Sequence, residues 1–211
     1  MSIILPGETD LYAITDERLS LGRSLEEVAR ELLGAGIRIL QYREKKMHDG
    51  EMLEKCRLLR RITREYDACF IVDDHVDIAL LSHADGVHVG QNDIPLYDVR
   101  TLVGSVMVVG VSTHEPEQAK AAFRDGADYI GVGPIYATKT KEDVVSPVGL
   151  SYLDWVKANI DMPFVCIGGI KAHNIHDVVE HGAQCCALVS EFVSAPNIGE
   201  AVQKVRKAMH S

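Results

Sequence analysis

Short apolar runs rich in Val and Ile alternate along this chain with longer segments whose apolar residues recur every three to four positions. The runs cover residues 11–15, 37–42, 69–72, 86–89, 106–111, 129–132, 164–167 and 186–189. Each is about the length of a strand buried on both faces, as parallel strands are. The intervening segments carry helix signals. Ser24-Leu25-Glu26-Glu27 spells a capping box, in which the Ser oxygen takes a free backbone N–H and Glu27 reaches back. Leu53, Cys56, Leu59 and Ile62 place an apolar stripe on the segment after Gly50, and Pro116 suits the first turn of a later helix, where its missing N–H costs nothing. Leu150, Leu153 and Trp155 mark a sixth helix. Val178 and Val179, then Val202 and Val205, mark the last two.

A weak internal echo accompanies the alternation. Gly34-Ala35-Gly36, Ala84-Asp85-Gly86, Gly126-Ala127-Asp128 and Gly182-Ala183-Gln184 fall just before the second, fourth, sixth and eighth runs. Glycine ends a helix cheaply because it accepts positive φ, and the spacing implies repeated quarter units. Eight strand–helix units predict a single closed (β/α)8 TIM barrel over residues 1–211. An open doubly wound sheet would carry roughly five or six strands. No G-x-G-x-x-G follows the first run, which also weakens a dinucleotide-binding fold.

Composition narrows the function classes. A chain of 211 residues suits one barrel domain that needs neither disulfides nor a structural metal. A net charge of −9 argues against nucleic acid and anionic membranes as partners, though a few cations in one cleft can still hold phosphates. The five cysteines (Cys56, Cys69, Cys166, Cys185 and Cys186) are odd in number and lack C-x-x-C spacing, so they read as reduced and buried, in a reducing compartment. The opening MSIILPGETD shows no basic n-region and no long apolar run, so neither signal peptide nor membrane span is expected and the cytoplasm is the expected location.

In such a barrel the chemistry lies at the C-terminal ends of the strands. After the second run, Gln41, Arg43 and Lys45 alternate and would share one face. Three donors, two of them cationic, suit a diphosphate; the bland alternative is a solvated strand end. Asp73-Asp74-His75 follows the third run and His88-Val89-Gly90-Gln91-Asn92-Asp93 the fourth. Asp74 and Asp93 at neighbouring strand ends suit Mg²⁺, which takes a few carboxylates plus phosphate oxygens and water. The competing reading is helix N-capping by Asp73, Asp74 or Asp93. Ser112 after the fifth run could donate to a phosphate or cap a helix, and His114 could be an acid or base or simply solvated. The Gly133-to-Lys141 stretch carries Thr138, Lys139, Thr140 and Lys141 behind a Gly-Pro turn and could fold over bound phosphates as a lid. Gly168-Gly169 and Ser190-Glu191 follow the last two runs, where barrels often hold a phosphate. His173 and His176 lack an obvious third ligand and read as surface. Two phosphate-bearing subsites result, one for a diphosphate with a divalent metal and one for a monophosphate.

These motifs carry a family resemblance. Leu11-Tyr12-Ala13-Ile14-Thr15-Asp16, Gln41-Tyr42-Arg43-Glu44-Lys45, His88-Val89-Gly90-Gln91-Asn92-Asp93, the stretch from Gly133 to Lys141 and Ile167-Gly168-Gly169-Ile170 together resemble the thiamine phosphate synthase family, in that family's order and over nearly the whole chain. The resemblance implies a transferase that joins 4-amino-2-methyl-5-hydroxymethylpyrimidine diphosphate to 4-methyl-5-(2-phosphoethyl)thiazole and releases pyrophosphate with help from Mg²⁺. It implies that Gln41, Arg43, Lys45, Ser112 and Lys141 contact the pyrimidine diphosphate. Asp74 and Asp93 would hold Mg²⁺, and Thr138, Thr140, Gly169, Val189 and Ser190 would hold the thiazole phosphate. The expected partners are these small molecules; self-association into a homo-oligomer is left open. Asp73-Asp74-His75 departs from the family's usual Asn-Asp-Arg, so Asp73 stands where a phosphate donor is expected and His75 removes a permanent charge. Ala137 stands where Pro is common. Two rival readings are a thiazole tautomerase-like isomerase, which would use His114, and a non-catalytic barrel that only binds a phosphorylated ligand. A sugar-phosphate epimerase lacks the acid/base pair it would need.

Overall fold

A computed structural model describes residues 3–138, 140 and 145–210. Eight parallel strands close into one barrel in chain order: β1 (Leu11–Ile14), β2 (Ile39–Tyr42), β3 (Cys69–Asp73), β4 (Gly86–Val89), β5 (Val108–Thr113), β6 (Tyr129–Val132), β7 (Phe164–Cys166) and β8 (Cys186–Leu188). Among the described residues seven α-helices link them: α1 (Leu25–Gly34), α2 (Asp49–Glu65), α3 (Val76–Leu81), α4 (Leu96–Val103), α5 (Pro116–Arg124), α6 (Gly149–Asn159) and α7 (Ile175–Glu180). A four-residue helix, α8 (Ser190–Val193), follows β8, and α9 (Ile198–Met209) packs between α7 and α1 to close the outer ring.

The apolar runs reflect burial on both strand faces. Outward residues such as Leu11, Leu40, Val87, Val109 and Ile130 join helix residues Leu32, Leu59, Val156 and Val202 in one core. Inward residues, among them Tyr12, Ile39, Ile71, Val108, Tyr129 and Val165, fill the barrel as a second core. The capping box is present: Ser24 Oγ accepts from Glu27 N at 3.2 Å, and Glu27 Oε2 accepts from Ser24 N at 2.7 Å. Pro116 is the first residue of α5, and Cys56, Leu59 and Ile62 bury the stripe of α2.

Two expectations change. Val106 is 84% exposed and precedes β5, which runs from Val108 to Thr113 and so places Ser112 inside the strand. In the glycine echo, Gly36, Gly126 and Gly182 take left-handed φ after their helices, but His83 does so in the second unit, and Gly86 lies in β4. The repeat therefore aligns His83-Ala84-Asp85 with Gly126-Ala127-Asp128. Its physical content is a pair of clasps at the N-terminal end of the barrel. Asp85 accepts from Arg60 Nη1 at 2.6 Å and from Phe70 N at 2.8 Å. Asp128 accepts from Arg100 Nη2 at 2.6 Å and from Val109 N at 2.7 Å. Each arginine lies on the helix two units before its aspartate's strand. This end of the barrel is built for stability, which leaves the other end for chemistry.

All five cysteines are free and buried, and burial pushes the Cys56 and Cys186 thiols up to about 12, so they are inert. No helix among the described residues is long and apolar enough to cross a membrane.

Candidate active site at the barrel mouth

A cavity of about 810 Å³ opens at the C-terminal end of the strands. Gln41, Arg43, Asp73 and Ser112 line one side of it; Thr138, Thr140, Gly169, Val189 and Ser190 line the other. Lys45, Asp74 and Asp93 lie outside its lining. Lys45 leaves the shared face because β2 ends at Tyr42, so the strand alternation does not extend to it. Lys141, with Lys139, lies outside the described residues.

The first side is a compact charge cluster. Asp73 ends β3 pointing inward, 3.5 Å from Arg43 Nε and 3.7 Å from Lys45 Nζ. Lys45 Nζ also pairs closely with Asp74 Oδ2. Arg43 N donates to Thr15 Oγ1 at 3.2 Å, anchoring the backbone behind the guanidinium. Asp74 sits in left-handed φ, and its N–H donates to His88 O at 2.8 Å, leaning the β3–α3 loop on the end of β4. Asp93 Oδ2 accepts from Gly90 N at 2.7 Å, which shapes the loop after β4. Neither α3 nor α4 has a side-chain N-cap, so the capping alternative for these aspartates does not hold. Among the described residues no three His, Cys, Asp or Glu side chains gather as a metal site. A cation here would rest on two carboxylates and on ligand oxygens.

The second side is built by two interlocked loops. Ile135 N donates to Ile167 O and Tyr136 N to Gly168 O, both at 2.9 Å. A Cβ at Gly168 would meet Pro134 at 2.4 Å, and one at Gly169 would meet Ala137 O at 2.6 Å. Both glycines have positive φ. The Gly-Gly pair thus serves close packing of the loop after β6, and it places Gly169 beside Thr138 and Thr140 on the cavity wall. Thr140 N donates to Thr138 Oγ1 at 3.3 Å.

Sequence reasoning missed two features. The first is Lys171, which lines the cavity, donates from Nζ to Ser190 Oγ at 2.9 Å and sits 3.3 Å from Glu191 Oε2. Its place directly after Gly-Gly-Ile was the available signal. The second is a buried polar chain across the barrel floor. Gln41 Nε2 donates to Tyr12 Oη at 2.9 Å, Tyr12 Oη lies 3.1 Å from Tyr129 Oη, Tyr129 Oη 3.0 Å from His88 Nδ1, and His88 Nε2 2.9 Å from Ser112 Oγ. Inward strand parity at Tyr12, His88 and Tyr129 would have exposed it. The chain engages one of the two amide hydrogens of Gln41 with Tyr12, while Gln41 also lines the cavity. His114 also lines the cavity, and its Nδ1 lies 2.6 Å from Gly133 O, holding the loop after β6. His173 is on the exposed cavity rim, while His176 faces Glu180, so the two form no metal pair.

Comparison with known proteins places this arrangement. Residues 11–192 match the family model described as thiamine monophosphate synthase. A thiamine-phosphate synthase of Lawsonia intracellularis is 58% identical over 99% of this chain and 98% of its own. One from Pelotomaculum thermopropionicum is 55% identical over 94% of this chain and 91% of its own. The solved thiamine phosphate pyrophosphorylase of Pyrococcus furiosus superposes with a TM-score of 0.87 at 35% identity, covering 95% of each chain. A 3-hexulose-6-phosphate synthase, at 19% identity and a TM-score of 0.64, shares the fold alone. A barrel mouth with two polar subsites, and relatives this similar over nearly their whole length, lead to one conclusion: the chain belongs to the thiamine monophosphate synthase family.

Proposed function

We infer that this chain is a thiamine-phosphate synthase whose single domain, residues 1–211, couples the pyrimidine diphosphate to the thiazole phosphate at the barrel mouth. The observation that carries the site assignment is one cavity with two polar ends, the Arg43–Asp73 side and the Thr138–Ser190 side. That shape suits two phosphorylated substrates meeting by their rings. The pyrimidinylmethyl C–O bond breaks and its electron pair leaves with pyrophosphate. The nitrogen lone pair of the thiazole then forms the new C–N bond to the methylene cation, so no general base is needed. Arg43 and Lys45, joined by Lys141, stabilise the charge growing on the leaving group. Gln41 and Ser112 position the pyrimidine diphosphate. Thr138, Thr140, Gly169, Val189 and Ser190 hold the thiazole phosphate. Holding the two rings together in one cavity lets the thiazole, rather than water, capture the cation.

Asp74 and Asp93 fit Mg²⁺ by donor chemistry: hard carboxylate oxygens beside a phosphate subsite. Bound there, the ion would neutralise charge on the diphosphate. Asp73 is read at the same subsite, where it holds Arg43 and Lys45 in place of the phosphate. The free buried thiols support a cytoplasmic setting.

Incubation with both substrates should give the mass of thiamine phosphate; recovery of the pyrimidine alcohol alone would contradict the reading. Lys171 adds a cation to the thiazole phosphate subsite. Lys171→Ala is expected to raise KM for the thiazole phosphate by about 10- to 100-fold, the size of a charge-assisted hydrogen bond, with little change in kcat. Steady-state kinetics with the pyrimidine diphosphate saturating would check it, and an unchanged KM would remove Lys171 from the subsite.

A further inference from the structure

The polar chain on the barrel floor has a direction. Tyr12 Oη accepts from Gln41 Nε2, so its own hydrogen has one remaining partner, Tyr129 Oη. Tyr129 Oη is then an acceptor on that side and turns its hydrogen to His88 Nδ1. A nitrogen that accepts carries no proton, so His88 bears its hydrogen on Nε2 and donates it to Ser112 Oγ. The Ser112 hydroxyl, with its oxygen engaged by His88, is left to donate into the cavity that it lines. Every link is buried or nearly so: Tyr12 and Tyr129 are 1% exposed, Gln41 3% and His88 9%. A reversed hydroxyl would therefore strand a donor or an acceptor without water to satisfy it.

The surrounding backbone makes room for this chain. A Cβ at Gly110 would lie 2.2 Å from Tyr129 Cζ and 2.5 Å from His88 Nδ1, so β5 can pass beneath both rings only as glycine. Burial holds the Tyr12 and Tyr129 phenols well above their ordinary range, so both keep the hydrogens that the chain requires.

We propose that Gln41, Tyr12, Tyr129, His88 and Ser112 form a one-way hydrogen-bond relay that locks His88 as the neutral Nε2–H tautomer and fixes Ser112 as a donor into the cavity. Tyr12, Tyr129 and His88 are positioning residues, acting through Ser112 and Gln41. The relay presents opposite ends to the substrates: the Gln41 carbonyl as an acceptor suited to an amino group, and the Ser112 hydroxyl as a donor suited to an anionic oxygen. This use of the relay rests on the synthase reading; the tautomer does not.

Long-range ¹⁵N–¹H correlation on histidine-labelled enzyme without substrate tests it, with the His88 signal assigned by its loss in His88→Gln. The expected pattern is a protonated Nε2 and an unprotonated Nδ1. An Nδ1–H tautomer or an imidazolium would overturn the relay. In Tyr129→Phe, a residue outside the cavity lining, His88 should populate both tautomers and kcat should fall about tenfold, the effect of one lost hydrogen bond, with KM for the thiazole phosphate unchanged. A lower melting temperature with tautomer and kcat unaltered would show a merely structural role and also overturn the proposal. Should the enzyme make no thiamine phosphate while His88 shows the Nε2–H form, the synthase reading fails and the relay stands.

Discussion

Arg43→Ala is expected to lower kcat/KM by about 100- to 1,000-fold, the effect of removing one preorganised donor from developing negative charge. Arg43 and Lys171 are the only Arg or Lys among the described residues lining the cavity, and Lys171 is on the far side, beside Ser190. The loss has two parts. A charged fork that could grip two phosphate oxygens disappears. Asp73, only 11% exposed, also loses its guanidinium partner, so less positive charge offsets its repulsion of the diphosphate. The second part can be separated. Adding Asp73→Asn to Arg43→Ala is expected to recover about tenfold, because neighbouring charges couple. Arg43→Lys should restore little, since a point charge does not replace a planar fork. Steady-state kinetics of the three variants decides the matter. Near-normal activity in Arg43→Ala would remove Arg43 from the reaction.

Gly110→Ala is expected to cost about 3 kcal/mol of stability, the upper range for forcing a methyl into a packed interior. For a chain of this size that corresponds to a fall of roughly 6–12 °C in Tm. The clash is with two rings, Tyr129 and His88, that are wedged in the barrel and cannot swing aside. Activity should fall with stability, because both rings belong to the floor beneath Ser112. Gly131→Ala is the control. Its Cβ would sit 3.4 Å from His88 Cε1, an ordinary contact, so a change below about 1 kcal/mol is expected. Calorimetric melting of the two variants checks the contrast; equal, small shifts would show that β5 has room to move.

The fold was legible in the chain because burial on both strand faces leaves short runs rich in Val and Ile that alternate with longer segments of helical period. The capping box at Ser24 and the proline opening α5 were legible because capping is local chemistry. What was not legible depends on contacts between distant segments. Val106 continues an apolar run, yet it stays in water because β5 begins at Val108. Gly86 resembles a helix stop, yet it lies in β4, and His83 makes the left-handed turn. In the site, residue type and strand-end position pointed to the barrel mouth, where Arg43, Asp73, Ser112 and Ser190 line the cavity. Pair geometry was beyond the sequence: Asp73 and Asp74 are held by Arg43 and Lys45, and Gln41 donates to Tyr12 inside the barrel. Tyr12 and Tyr129 lie within apolar strands and read as core until their hydroxyls meet.

The rival readings leave different residues idle. An isomerase built on His114 would find that side chain engaged with Gly133 O and the Arg43–Asp73–Lys45 cluster without a task. A barrel that only binds would show ligand affinity without turnover. Pyrophosphate release separates these most directly, followed with both substrates together, with each alone, and with and without Mg²⁺. The account predicts release that requires both substrates and the metal, matched one for one by thiamine phosphate. Folded enzyme that binds both substrates and releases no pyrophosphate would contradict it.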